Sequence, residues 1–139
     1  MSFPPALRAL IDEFAALPWD LKVEYLADYA EHLPVPDRSV SGRIFAPVPE
    51  CQSPMAYHVE VAADGTVQLL FAVSAHAVTA HGYLGLLHAG LNGESCDAIL
   101  AIDADIPDAL GLSEQLSPQR LVGLRAVVFR LQQTLAARR

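Results

Sequence analysis

Hydrophobic residues follow two periods along this chain, and the period near the N-terminus is helical. From Pro4 onward the apolar positions fall on one helical face, at Leu7, Leu10, Ile11, Phe14 and Leu17. Pro18 interrupts the pattern, and Asp20 is placed to cap a second helix that runs to about His32. This second helix would carry Leu21, Tyr25 and Tyr29 on one side. Turn-forming residues then predict a loop over 33–42.

The second period is that of a β-hairpin. Apolar residues occupy alternate positions over 55–61 and again over 67–73, the spacing of one strand face. Asp64-Gly65 between the two runs predicts a two-residue turn, because both residues tolerate positive φ. That turn would place Ala63 opposite Thr66, and Met55 opposite Ser74. Residues 43–48 predict a further edge strand, interrupted by prolines.

The remaining segments predict helices. Residues 77–89 form one, and residues 92–112 form short pieces broken at Pro107 and Gly111. Ser117-Pro118 is a strong start signal for a long amphipathic helix that continues towards the C-terminus. The predicted fold class is α+β, with several helices packed on a small antiparallel sheet of about three strands. We expect a single domain over residues 1–139.

Composition narrows the classes of function. The chain has 53% hydrophobic residues and a net charge of −7, which suits one well-filled core. Nucleic-acid binding requires a basic patch, and none is visible, so an acidic surface fits a partner with a basic face better. The sequence has neither a membrane-spanning run nor a recognisable signal peptide. We therefore expect a cytoplasmic protein that binds neither membranes nor nucleic acid.

The two cysteines, Cys51 and Cys96, lie 45 residues apart without CxxC spacing, so we expect reduced thiols. Cys96 lies at a predicted helix start and is expected to pack. Cys51, in VPECQSPMAY, occupies a proline-flanked loop where a partner can reach it. The histidines lack the spacing of a metal site, and we expect none. Nucleotide-binding, metalloprotease and serine-hydrolase motifs are also absent, which favours thiol chemistry or a pure binding role.

The predicted hairpin places Cys51 beside residues 74–78, near Ser74 and His76. His76 is a candidate for lowering the pKa of the thiol, whereas Glu50 would raise that pKa. Arg120 lies in the first turn of the last helix, where a positive charge opposes the helix dipole. It is therefore a candidate for stabilising a thiolate. The alternatives are that His76 is a coincidental neighbour and that Arg120 is a solvated surface residue.

Three motifs carry a resemblance to a known family: PWDLKVEYLADYAEHLP, CQS at 51–53, and LSPQR-x-x-GL at 116–124. The order of these motifs resembles that in the SufE/CsdE family. Members of this family are sulfur acceptors that work with cysteine desulfurases in iron–sulfur cluster assembly. The resemblance extends from about Pro18 to Leu131. It implies that Cys51 accepts persulfide sulfur, that Arg120 lies close to the cysteine loop, and that the loop shields the cysteine until a partner binds.

The resemblance also implies partners and cofactors. The protein would be an accessory activator of a SufS/CsdA-like desulfurase rather than an enzyme, and would pass sulfur to an iron–sulfur scaffold. It would need no cofactor, because the pyridoxal phosphate (PLP) belongs to the desulfurase. A monomer or weak homodimer is expected.

Departures from the family pattern cluster around the thiol. Glu50 stands where the family has glycine, Ala56 replaces an aromatic residue, and VSAHA at 73–77 lacks the family's acidic residues. Two other functions therefore stay open. One is a binding or regulatory module of this fold that does not transfer sulfur, and the other is a thiol-redox protein that uses both cysteines.

Overall fold

The computed structural model describes residues 3–34, 44–52, 54–74 and 76–138. Across these ranges it has six helices and one three-stranded antiparallel sheet of order β1-β2-β3. In chain order the elements are α1 (Pro5–Ala15), α2 (Trp19–His32), β1 (Ala46–Pro47), β2 (Met55–Val61), β3 (Val67–Val73), α3 (Val78–Leu91), α4 (Cys96–Leu100), α5 (Ile106–Ala109) and α6 (Pro118–Ala137). The predicted α+β class and the long C-terminal helix are confirmed.

The first two helices differ in how well their sequence pattern predicts them. α1 buries Leu7, Ile11 and Phe14, as predicted, but Leu10 is only partly buried and the helix ends at Ala15, before Leu17. The predicted cap at Asp20 is wrong, because the N-cap position is Pro18, two residues earlier, and Asp20 lies within the first turn of α2. There the negative charge of Asp20 interacts favourably with the positive end of the helix dipole. The buried face of α2 is also rotated from the prediction, since it buries Lys22 and leaves Leu21 42% exposed.

The hairpin has a three-residue loop, so the predicted register is shifted by one residue. Met55 pairs with Val73 rather than with Ser74. The Asp64 Oδ1 accepts hydrogen bonds from the Thr66 amide at 3.0 Å and the Thr66 hydroxyl at 2.7 Å. Within this loop, only Gly65 takes a positive φ, of 87°. This is the common form of a three-residue hairpin loop, in which a turn is followed by one residue in the left-handed conformation.

Most of the other predicted elements are present within small shifts. The edge strand shortens to two residues, Ala46–Pro47, and the helix predicted at 77–89 is α3, which begins one residue later and ends two residues later. Pro107 was predicted to break a helix, but it lies in the first turn of α5, where a missing amide costs nothing. Gly111, with φ 76°, does follow the end of that helix. Residues 35–42 of the predicted loop and residue 43 of the predicted strand lie outside the described residues.

The core forms where one face of the hairpin meets α3 and α6. Alternate strand residues are buried, as the period of two requires: Tyr57, Val59, Leu69 and Phe71. β2 is also joined to α6 by hydrogen bonds, because the Tyr57 hydroxyl lies 2.8 Å from the Thr134 Oγ1 and donates to the Arg130 carbonyl at 3.3 Å. This packing brings the loop before β2, the start of α3 and the first half of α6 to one end of the molecule.

We expect the cap of α6 to contribute measurably to stability. The Ser117 hydroxyl accepts a hydrogen bond from the Arg120 amide at 3.3 Å. Ser117→Ala should therefore lower the free energy of unfolding by about 1 kcal/mol in urea denaturation. Ser117→Asn, which can cap equally well, is the matched control and should stay close to the parent. Equal stability of the alanine variant and the parent would contradict this role.

Candidate functional site around Cys51

Cys51 lies in a tight loop that folds back before β2; residues 48–52 are called the Cys51 loop below. The Val48 amide donates to the Met55 carbonyl at 2.9 Å, and the Cys51 amide donates to the Val48 carbonyl at 3.1 Å. Val48 itself is buried in the core. The loop is therefore anchored at its first residue and turns so that Cys51 faces α6.

The thiol is half-buried against α6. A Cβ at Gly123 would lie 2.9 Å from the Cys51 Sγ, so the absence of a side chain there allows the close approach. The Cys51 thiol contacts the Met55 Sδ at 3.6 Å. Burial, and then the negative charge of Glu50, raise the pKa of Cys51 to about 11. The predicted direction of the Glu50 effect is confirmed, and the resting residue is a protonated thiol at neutral pH.

Among the described residues, two polar side-chain contacts join the Cys51 loop to α6, one on each side of the cysteine. Glu50 forms a bidentate ion pair with Arg130, with distances of 2.8 and 3.1 Å to Nε and 2.9 Å to Nη2. Each partner lowers the free energy of the other's charged form, so the pKa of Glu50 falls and the pKa of Arg130 rises. On the other side, the Gln52 Nε2 donates to the Gln119 Oε1 at 2.7 Å.

A cavity of about 310 Å³ opens beside the thiol. It is lined by Cys51 and Gln52, by residues 76–80 at the start of α3, and by residues of α6 and the segment before it, including Arg120 and Gly123. The cavity thus brings together Cys51, His76 and Arg120, the three residues singled out from sequence. Within the described ranges, neither the His76 ring nor the Arg120 guanidinium makes a hydrogen bond to the thiol.

Cys96 lies far from this cavity. Both cysteines are free, and the Cys96 amide donates to the Gly65 carbonyl at the turn of the hairpin. Cys51 lies at the other end of the seven-residue strand β2, which corresponds to roughly 20 Å at the usual rise per residue. A disulfide requires Cα atoms within about 7 Å. This geometry does not support a redox pair of Cys51 and Cys96.

The described residues contain no group of three His, Cys, Asp or Glu side chains that could hold a metal ion. In the same part of the chain, none of the helices combines the length and apolar character needed to cross a bilayer.

Sequence reasoning assigned no role to three residues in or near this site. Arg130 and Gly123 shape the Cys51 loop, and Tyr83 lies fully buried on α3. Among the described residues, the Tyr83 hydroxyl has no hydrogen-bond partner. Burial, followed by the charges of Asp105 and Cys51, raises the pKa of this hydroxyl above its usual range. Gly123 lies in the LSPQR-x-x-GL motif that carries the family resemblance, although that motif assigned it no role, whereas Arg130 and Tyr83 had no specific signal.

The fold and the site define a small α+β protein with one shielded cysteine at the edge of a cavity. A family model described as the Fe-S metabolism associated domain, SufE, matches residues 8–135. An uncharacterised SufE-like protein of Mycobacterium tuberculosis H37Rv is 34% identical over 134 residues, covering 96% of this chain and 94% of the relative. The chain belongs to the SufE family, and its role lies in iron–sulfur metabolism.

Other relatives agree with this assignment. An uncharacterised SufE-like protein of Rhizobium meliloti is 32% identical over 130 residues, with 91% of each chain covered. The solution structure of a hypothetical protein from Thermus thermophilus superposes with a TM-score of 0.85 at 36% identity, covering 98% of this chain and 97% of that one. A crystal structure of another hypothetical protein, with a TM-score of 0.57 and 13% identity, shares the fold alone.

We expect the reactivity of Cys51 to follow its raised pKa. In a Cys96→Ser background, alkylation of the folded protein should stay slow through pH 8 and rise only towards pH 11, because the thiolate is the nucleophile. The same protein in denaturant should titrate near pH ~8.5. Mass spectra taken across a pH series give both profiles. Coincident folded and unfolded profiles would contradict the shielding described here.

Proposed function

We propose that this protein is a sulfur acceptor that takes persulfide sulfur from a cysteine desulfurase onto Cys51, stimulates that enzyme, and passes the sulfur on to iron–sulfur cluster assembly. The observation that carries the proposal is one cysteine, within a chain of the SufE family, at the wall of a cavity whose rim holds Arg120 and His76. The PLP belongs to the desulfurase, and this chain acts as its cytoplasmic accessory protein, as a monomer or weak homodimer.

The transfer step requires only a thiolate and a docked donor. The Cys51 thiolate attacks the terminal sulfur of the persulfide on the desulfurase cysteine, so a new S–S bond forms at Cys51 and the donor's S–S bond breaks. The donor cysteine leaves as a thiolate and takes up a proton equivalent to the one that Cys51 released. Sulfur changes carrier without any external oxidant or reductant. Arg120 and His76 would favour the anionic forms on both sides of this exchange.

The resting geometry suits storage better than attack. With a pKa of about 11, about one Cys51 in ten thousand is ionised at pH 7. Burial against α6 would also protect a bound persulfide from reductants. Transfer therefore requires that docking move the Cys51 loop, expose the sulfur and lower its pKa.

A second candidate is a binding or regulatory module that docks on a desulfurase without accepting sulfur. The charge of Glu50 favours it, because this carboxylate beside the thiol opposes ionisation. The two functions differ in one property: only the acceptor depends on the Cys51 thiol.

Sulfur loading separates these two functions. After incubation with the desulfurase from the same source, L-cysteine and PLP, the intact mass should rise by about 32 Da, one sulfur atom, on the peptide that contains Cys51. Cys51→Ser should abolish the adduct and the stimulation of the desulfurase, whereas Cys96→Ser should preserve both. Absence of the adduct, with the desulfurase shown to be active, would overturn the acceptor and leave the binding module.

We expect Arg120 to contribute to the sulfur-transfer step from its position at the cavity rim. We expect Arg120→Gln to slow sulfur loading roughly tenfold, because it removes a cation from the rim that faces the incoming persulfide. Arg8→Gln, which removes an exposed cation on α1 paired with Asp12, is the matched control and should leave loading unchanged. The measurement is the initial rate of sulfur gain by mass spectrometry. Equal rates for the two variants would show that Arg120 has no role in transfer.

A further inference from the structure

We propose that the ion pair of Glu50 and Arg130, here called the Glu50–Arg130 latch, holds the Cys51 loop closed, and that a carboxylate of the docking partner opens it by replacing Glu50 on Arg130. The proposal rests on the proposed function for its partner, the desulfurase. It goes beyond that function by assigning roles to two residues and a chemical group to the docking surface.

The contacts around Cys51 single out this pair as the strongest polar link of the loop to α6. The latch is bidentate, with all three N–O distances between 2.8 and 3.1 Å. The other side-chain link to α6, from Gln52 to Gln119, is a single bond between exposed neutral amides. Charge-assisted, bidentate pairs are the stronger and more directional of these two kinds of contact.

Glu50 couples loop closure to the state of the thiol. It directly precedes Cys51, so the contact that draws Glu50 onto Arg130 also seats Cys51 against Gly123. In this position the thiol is desolvated, and the Glu50 charge raises its pKa further. The ion pair therefore keeps the sulfur covered, and this burial is the larger cause of its raised pKa.

Glu50 and Arg130 would have different surroundings after the Cys51 loop opens. Glu50 would leave with a surface loop and become hydrated. Arg130 stays on α6, where its backbone carbonyl accepts from Tyr57, and its side chain is only 33% exposed. Opening would thus leave the Arg130 guanidinium on α6 without the anion that it pairs with in the closed loop. A carboxylate from the partner restores the bidentate pair and shifts the equilibrium to the open loop.

The latch itself is tested without any partner, in a Cys96→Ser background. We expect Glu50→Gln and Arg130→Gln each to accelerate iodoacetamide alkylation of Cys51 roughly three- to fivefold at pH 8 and low salt. Arg130→Gln keeps the Glu50 charge beside the thiol, so its acceleration reports exposure of the thiol. Arg125→Gln breaks a comparably exposed pair on the same helix, with Asp105 at 2.9 Å, and should change nothing.

A charge reversal distinguishes the latch from a general loosening of the loop. The double variant Glu50→Arg/Arg130→Glu rebuilds the pair in the opposite orientation. It should alkylate more slowly than Glu50→Arg alone, because both variants carry the same cation beside the thiol and only the double variant closes the loop. Unchanged rates in both single variants would overturn the latch. So would a double variant as reactive as Glu50→Arg alone.

The partner's carboxylate is tested by affinity for the desulfurase. Glu50→Gln should bind as tightly as the parent or more tightly, because the loop opens more easily. Arg130→Gln should bind roughly tenfold more weakly, because the group that the carboxylate pairs with is gone. Equal affinities of the two variants would overturn the assignment of a carboxylate, and so would failure of the parent to bind. If the parent binds without gaining sulfur, the acceptor function fails while both halves of this proposal stand on their own measurements.

Discussion

The Cys51 loop rests on the backbone of α6 at Gly123, and the other properties of the site depend on this contact. A Cβ at that position would come within 3.0 Å of the Cys51 Cα and 3.2 Å of the Glu50 carbonyl. Because nothing separates loop and helix, the thiol loses water, and Glu50 reaches Arg130 two turns further along α6. The cavity wall, the raised pKa of Cys51 and the ion pair all follow from the absence of one side chain.

The sequence predicted the fold where local pattern and tertiary contact agree. Period two located both strands of the hairpin, and Ser117-Pro118 located the start of α6, because strands and caps are specified by neighbouring residues. Register and helix orientation were less predictable. The side chain of Asp64 selects the three-residue loop, and α2 turns Lys22 inward because its ammonium donates to the Leu110 carbonyl, 88 residues away.

The candidate site could be predicted in part for the same reason. Hairpin geometry was sufficient to place His76 near Cys51 despite the shifted register. Arg120 was placed near the Cys51 loop by the family resemblance of the motif at the start of α6. Glu50 was noticed only as a departure from the family pattern and a charge beside a thiol. Its partner Arg130 lies 80 residues further along the chain. The hydrophobic pattern of α6 marks Arg130 only as a residue off the apolar face, as it does the other arginines of that helix. Long-range pairs of this kind leave no trace in local pattern.

Lys22 also has a consequence for the protein's covalent chemistry. It is the only lysine in the chain, it is 7% exposed, and its ammonium lies over the ring of Phe14, 5.4 Å from the centroid. The folded protein therefore hides its one side-chain amine from acylating and cross-linking reagents. Modification of Lys22 proceeds only when α2 separates from the end of α5, so the rate of that reaction measures how often this part of the fold opens.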